Sequence, residues 1–239
     1  MLSIFFLSFF IGMRHALEAD HVAAVATITD KSNTQSAINI GLVWGFGHTL
    51  TLFLFGGVVL WTDSLVPENV AQFLEFAVGV MLLVLGADVL RRLVRDKIHY
   101  HFHEHKTGTE NKNQQRHLHA HSHKGEKQHQ TVHQHEHPKA LSLRILLIGM
   151  MHGMAGSAAL ILLVLETIHN PWLGMLYILL FGIGTMIGMA VVTVVISYPL
   201  RKASENGMTW LHNGLQLFIG VITIGLGVLV ITQNYSLLV

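Results

Sequence analysis

The stretch I-G-M-R-H-A-L-E-A-D-H-V-A-A-V, from Ile11 to Val25, sets five polar or charged side chains (Arg14, His15, Glu18, Asp20, His21) inside an otherwise apolar run from Leu2 to Thr29. A run of that length reaches across a bilayer, because a spanning helix takes about 20 residues at about 1.5 Å each. Each charge at the centre of a spanning helix costs roughly 2.5–3.5 kcal/mol on insertion scales. Several together call for a function, and two imidazoles with a carboxylate supply one, since they can bind a divalent transition metal.

The rest of the chain is built for the same environment. Its 239 residues are 51% apolar and only 12% charged, where a soluble domain carries about 25% charge. A net charge of +1 gives no basis for a nucleic-acid partner. The absence of cysteine excludes disulfides, thiolate zinc sites and iron–sulfur clusters. Hydropathy gives six spans: Leu2–Thr29, Ala37–Trp61, Glu68–Val94, Leu141–Ile168, Pro171–Tyr198 and Thr209–Thr232. The first lacks the basic flank of a secretory signal and has an acidic centre, so it reads as a retained helix. One apolar run could be a buried core helix; six in succession read as an all-α polytopic membrane protein.

Lys and Arg in the short loops set the expected orientation. Lys31, then Arg91, Arg92, Arg95 and Lys97, then Arg201 and Lys202 fall on one side, whereas Thr62–Glu68, His169–Asn170 and both termini carry neither. Both termini are therefore expected outside a bacterial-type cell membrane. The segment Lys97–Lys139 is expected in the cytoplasm. That segment holds twelve of the 18 histidines (His99, His101, His103, His105, His117, His119, His121, His123, His129, His133, His135 and His137). Histidine alternating with polar spacers builds no core, so it is expected to be disordered without metal. Its imidazoles make it an accessory metal sink for Ni, Co, Zn or Cu.

The chain divides into 1–96, the His-rich loop 97–139, and 140–239, and the outer parts repeat each other. Ile11-Gly12-Met13-Arg14-His15 matches Ile148-Gly149-Met150-Met151-His152, and Phe46-Gly47-His48-Thr49 resembles Ile183-Gly184-Thr185 with its preceding Phe181-Gly182. Gly79-Val80 and Leu85-Gly86 match Gly220-Val221 and Leu226-Gly227 at the same internal spacing. Three spans per half force the second half to insert upside down, giving two inverted three-helix repeats with a substrate site near the midplane. Asp20 and His21 then correspond to Ser157 and Ala158, and Glu18 to Ala155. The first repeat carries the charged ligands, and the second offers His152, Ser157 and Thr185 at equivalent depth. Gly12/Ala16, Gly41/Gly45, Gly149/Gly153 and Gly184/Gly188, at four-residue spacing, let helix backbones approach closely.

On an ideal helix at 100° per residue, with His15 at zero, Glu18 falls at about 300°, Arg14 at about 260° and His21 at about 240°, but Asp20 near 140°. A straight helix cannot aim His15, Asp20 and His21 at one ion. Either it breaks near Ala19, as helices at transporter sites do, or Asp20 supports a ligand from behind. Arg14 and Glu18, at i and i+4, can pair. His48, mid-span in G-F-G-H-T, reads as a further ligand, and Thr49 and His152 as residues that support the ligands or line the path.

R-H-A-L-E-A-D-H-V at Arg14–Val22 resembles the R-H-A-x-D-A-D-H-I motif of the nickel–cobalt permease family, and Gly47-His48-Thr49 resembles that family's G-H-S/T motif. The whole chain is more similar to the shorter, UreH-like branch with its His-rich central loop, often associated with urease maturation. The resemblance implies transport of Ni²⁺ first and Co²⁺ second, with His15, Asp20, His21 and His48 as counterparts of residues important there. A cytoplasmic nickel chaperone or urease maturation proteins would be partners beside the lipid bilayer. Glu18 stands where the family has Asp. No organic cofactor is expected, and no Walker A pattern is present, so the expected driving force is the membrane potential or a proton gradient. Uptake is the expected direction, with efflux the alternative. An intramembrane metal-dependent enzyme lacks an H-E-x-x-H helix or a recognisable nucleophile. A membrane-anchored metal sensor would leave the buried charges unexplained.

Overall fold

The computed structural model describes residues 2–29, 33–62, 67–95, 100–103, 117–120, 138–155, 168 and 170–235. The described helices are α1 (Leu2–His15), α2 (Ala19–Ile28), α3 (Thr34–Thr62), α4 (Glu68–Arg95), α5 (Pro138–Ala155), α6 (Pro171–Glu205) and α7 (Thr209–Tyr235). Two four-residue strands, β1 (Tyr100–His103) and β2 (His117–Ala120), pair antiparallel within the His-rich segment.

The expected first span is divided. After His15 the chain makes two tight turns, Leu17 N–H donating to the Arg14 carbonyl at 2.9 Å and Glu18 N–H to that of His15 at 3.0 Å. Glu18, with φ −61° and ψ 144°, is the extended residue from which α2 starts. Side chains bond carbonyls at the end of the ten-residue α2. The Thr29 hydroxyl donates to the Val25 carbonyl at 2.9 Å, and Arg92 of α4 donates to the Thr27 carbonyl at 2.8 Å. A cation at that end also meets the negative pole of the helix dipole, as Asp20 in the first turn meets the positive one.

Helices α3, α4, α6 and α7 are each long and apolar enough to cross a membrane; α1 and α2 singly are not. The fourth expected span is described only as far as Ala155. Helix α6 runs past the expected end at Tyr198, through Pro199, to Glu205. A proline costs one ladder bond there, and the turns beyond it are held by Leu200 and Ala203, both buried. Large apolar side chains cover the outside, among them Phe6, Leu54, Val84, Val195 and Phe218. An apolar exterior of that extent fits lipid rather than water. The indoles of Trp61 and Trp172 meet edge to face at 5.2 Å. They sit at the end of α3 and the start of α6, where tryptophans anchor a span at the bilayer interface. At the opposite end Arg144 pairs with Asp88 at 3.1 Å, and Arg201 donates to the Thr34 hydroxyl at 2.9 Å.

Backbone contacts at the small residues fix the helix directions. A Cβ on Gly12 would meet the Phe181 carbonyl, Ala16 faces Gly188, and the Ser8 hydroxyl donates to the Tyr177 carbonyl at 2.7 Å, so α1 and α6 run parallel. Gly149 faces the Trp44 carbonyl and Gly153 that of His48, so α3 and α5 run parallel. Gly41 abuts Ala190 and Gly45 abuts Met186, so α3 and α6 are antiparallel. Gly79 faces Gly227 and Gly86 faces Gly220, so α4 and α7 are antiparallel too. It follows that α1 and α5 point in opposite directions. The core around the α1–α2 break is closed by Ala24, Val25, Trp44, Leu82, Ile148 and Met189.

Candidate metal centre

Four imidazoles and one carboxylate converge where α1, α2, α3 and α5 meet. Because the helix breaks between His15 and Ala19, Asp20 and His21 are freed from the positions a straight helix would give them. The rings of His15 and His21 lie 4.6 Å apart, those of His15 and His48 5.2 Å, and those of His21 and His48 5.3 Å. From α5 comes His152, its ring 5.0 Å from that of His21 and its Nε2 3.8 Å from Asp20 Oδ2. His21, His48 and His152 are buried; Asp20 and Glu18 keep partial access to the outside, with side chains 30% and 54% exposed.

The hydrogen bonds orient the rings. His152 Nδ1 donates to the Ile148 carbonyl at 3.1 Å, and a carbonyl only accepts. His21 Nδ1 donates to Asp20 Oδ1 at 2.9 Å, and His15 Nδ1 to Glu18 Oε1 at 2.7 Å. In the neutral ring the hydrogen then sits on Nδ1, and each Nε2 presents a lone pair. Partners on the far nitrogen are what a metal-binding imidazole ordinarily has. The Nε2 atoms of His21 and His152 and both ring nitrogens of His48 are buried without a hydrogen-bond partner. Such unpaired buried groups are costly, and a cation would take the free lone pair of each ring. Two groups of donors lie within 4.8 Å of one another: His15, His21 and His48, and Asp20, His21 and His152. Donors on one ion at about 2.0–2.1 Å sit no more than about 4.2 Å apart, so small side-chain movements close either group. With neutral imidazoles the two carboxylates balance the charge of a dication.

The other expected residues take different places. Arg14 is exposed and makes no ion pair among the described residues. The expected Arg14–Glu18 pair is absent because the break removes the i, i+4 geometry and gives the Glu18 carboxylate to His15. The Thr49 hydroxyl donates to the Gly45 and Gly182 carbonyls, and that of Thr185 to the Gly12 and Phe181 carbonyls. Both tie helices together around the cluster. His152, expected in support, stands among the donors. Ser157 lies outside the described residues, as do His99, His105, His121, His123, His129, His133, His135 and His137. His101 pairs in register with His119, and His103 with His117, in the β1–β2 ladder.

Trp44 was not among the sequence candidates. It is fully buried, stacks on His48 at 5.3 Å and 11°, and touches the rings of His21 and His152 at 4.9 and 5.2 Å. The available signal was its position, four residues before His48 on the same helix face and mid-span rather than at an interface.

The sequence matches the family NicO, described as high-affinity nickel-transport protein, over residues 1–234. The chain belongs to the NicO family. It is 34% identical over 229 residues to the urease accessory protein UreH of Bacillus sp. (strain TB-90), covering 95% of this chain and 90% of that one. It is 23% identical over 229 residues to the chloroplast protein FOR GROWTH AND FERTILITY 2 of Arabidopsis thaliana, covering 95% of this chain and 55% of the other. No solved structure matches. As a NicO member the chain is an integral membrane transporter of nickel rather than an enzyme. The unpaired imidazole nitrogens fit the nickel ion as its substrate.

Proposed function

We propose that nickel crosses through the buried cluster, with His15, Asp20, His21, His48 and His152 as its ligands and Glu18 steering His15. The single observation that carries this reading is the set of buried imidazole nitrogens from α2, α3 and α5 with nothing to bond. Cobalt is the second substrate in this reading, as the resemblance to the nickel–cobalt permeases implies. Uptake is the direction: at about −100 mV a dication gains about 4.6 kcal/mol on moving inward, at about 2.3 kcal/mol per charge. The test is radiolabelled nickel flux in proteoliposomes under imposed potentials of either sign. Accumulation driven by an inside-negative potential is expected; flux only out of the cytoplasmic compartment would make the protein an exporter.

The transport unit in this reading has six spans, α1 with α2 serving as one, arranged as inverted repeats 1–96 and 140–239. Reciprocal contacts support it. Residues 137 apart exchange roles: Gly12 on Phe181 answers to Gly149 on Trp44, Gly184 on Phe9 to Gly47 on Leu146, and Gly45 on Met186 to Gly182 on Thr49. In the last helix of each half the offset is 141, and Gly79 on Ile231 answers to Gly220 on Leu90. The opposed directions of α1 and α5 fit a two-fold axis in the membrane plane. The termini lie outside, and the loop 97–139 lies in the cytoplasm as an accessory metal sink that passes nickel to a chaperone or urease maturation proteins. Cysteines introduced singly at Ser3 and Ser142, the starts of α1 and α5, should react with impermeant reagents from opposite faces of sealed vesicles. Labelling of both from one face would exclude the inverted arrangement.

Protons must compete with the metal, because only a neutral imidazole is a ligand. Apparent nickel affinity should therefore fall as the pH is lowered. Initial rates at limiting nickel from pH 8 to pH 5 check this, and a flat profile would argue against histidine ligation of the transported ion.

A further inference from the structure

We infer that the cluster holds two adjacent positions for the transported dication, one formed by His15, His21 and His48, the other by Asp20, His21 and His152, with His21 shared. The inference rests on the proposed passage of nickel through the cluster. The donors fall into these two groups of three, each within 4.8 Å, and only His21 belongs to both.

Trp44 is the partition. Its indole lies flat against the His48 ring at 5.3 Å and tilted against that of His152 at 5.2 Å, while its contact with His21 is edge to face at 4.9 Å. No ring contact joins His48 to His152 among the described residues; each ring meets the indole instead. Helix origin divides the groups as well. His48 comes from α3 and His152 from α5, and their backbones are locked together where Gly153 abuts the His48 carbonyl. The two rings cannot converge by sliding these helices closer.

The donor chemistry of the positions differs. The first is all imidazole, with His15 held by Glu18 beside the break. The second includes a carboxylate, and its Asp20 Oδ2 to His152 Nε2 separation of 3.8 Å is already within the span of one ion's ligands. Conduction needs sites that bind well enough to admit the ion and weakly enough to release it, which adjacent partial sites provide. An ion exchanging His15 and His48 for Asp20 and His152 around His21 never loses all its ligands at once. A single five-donor cage would have to release the ion in one step.

The experiment uses the full chain in nanodiscs with Co²⁺ as the spectroscopic probe, below one equivalent, together with nickel flux in proteoliposomes. His21→Gln removes a donor from both positions, and its residual absorption defines the contribution of the loop histidines. Above that background, His48→Gln should retain the spectrum of the carboxylate-containing position, and His152→Gln that of the all-imidazole position. The two spectra should differ, and the wild type should be described by their sum. Nickel flux should fall about tenfold or more in each variant, the scale of losing support to a metal ligand. If flux falls but the two variants give one common spectrum, or neither binds above background, the site is single and the inference is overturned while passage through the cluster stands. If all three variants keep wild-type flux, the proposed path itself fails, whatever the spectra. Asparagine at the same positions repeats the test should a glutamine variant not insert.

Discussion

Replacing His21 by alanine should bring nickel flux at limiting substrate to the level of protein-free liposomes. His21 is the ring that touches His15, His48, His152 and Trp44, and it belongs to both donor groups. Removing it also leaves Asp20 without the Nδ1–H it accepts. His15→Ala and Asp20→Ala should also severely reduce flux, His15 because it supplies one donor and Asp20 because it supplies charge. The buried polar atoms are costly to keep in a membrane, so the alanine variants should still insert and run as the wild type on size exclusion. Near-normal uptake by all three would remove the cluster from the transport path.

The second large effect is on folding. A methyl group on Gly12 would enter the Phe181 carbonyl, and one on Gly149 the Trp44 carbonyl. Both obstacles are backbone in the middle of long helices, so neither can rotate away. Overpacking of this kind costs roughly 1–3 kcal/mol and occasionally more. Gly12→Ala and Gly149→Ala should therefore each lower the midpoint of thermal unfolding in detergent. Gly214 and Gly225, with nothing within 4 Å of an added Cβ, should accept alanine without loss. If the two halves are equivalent, the Gly12 and Gly149 variants should be affected to a similar degree. Both should also depress flux, because Phe181 lies against His15 at 5.1 Å and Trp44 against His48 at 5.3 Å. Unchanged stability in both would mean that the helices do not approach as closely as described.

Much of this was legible because the membrane makes sequence patterns sharp. Apolar length located the long helices, and glycines at four-residue spacing marked the faces that touch. The wheel arithmetic around His15 showed that His15, Asp20 and His21 could not share a straight helix, and it left two solutions. The chain takes the break, ending α1 at His15 and restarting at Ala19. The helix ends were harder to read. Nothing local announces that Arg92, some 65 residues on, closes the carbonyls of α2, or that Pro199 is carried inside α6. The site was legible where its residues are sequential and illegible where it is assembled by packing. His152 reads from sequence as one intramembrane histidine among others, and it joins the donors only because Gly149 and Gly153 let α5 lie directly against α3. Trp44 was hidden for the same reason: its contacts with three imidazoles come from three different helices. The Arg14–Glu18 pairing failed because it assumed a continuous helix across the very residues where continuity is lost.

The loop histidines and the buried ones compete for credit as the determinants of transport. The buried rings are fixed by packing and hydrogen bonds, and preorganised donors discriminate by geometry. Ordering a solvated loop around an ion costs about 1–2 kcal/mol of chain entropy per residue, so each of its sites is weak and exchanges quickly. The decisive measurement is nickel flux into proteoliposomes with cobalt, zinc and magnesium as competitors, for the wild type, His21→Ala, and a chain in which residues 99–137 are replaced by a short polar linker. The shortened chain should keep the wild-type order of metal preference and a measurable rate, while His21→Ala loses flux. If His21→Ala retains selective flux and the shortened chain loses its selectivity, the discriminating site is in the loop and the buried cluster is not the path of the ion.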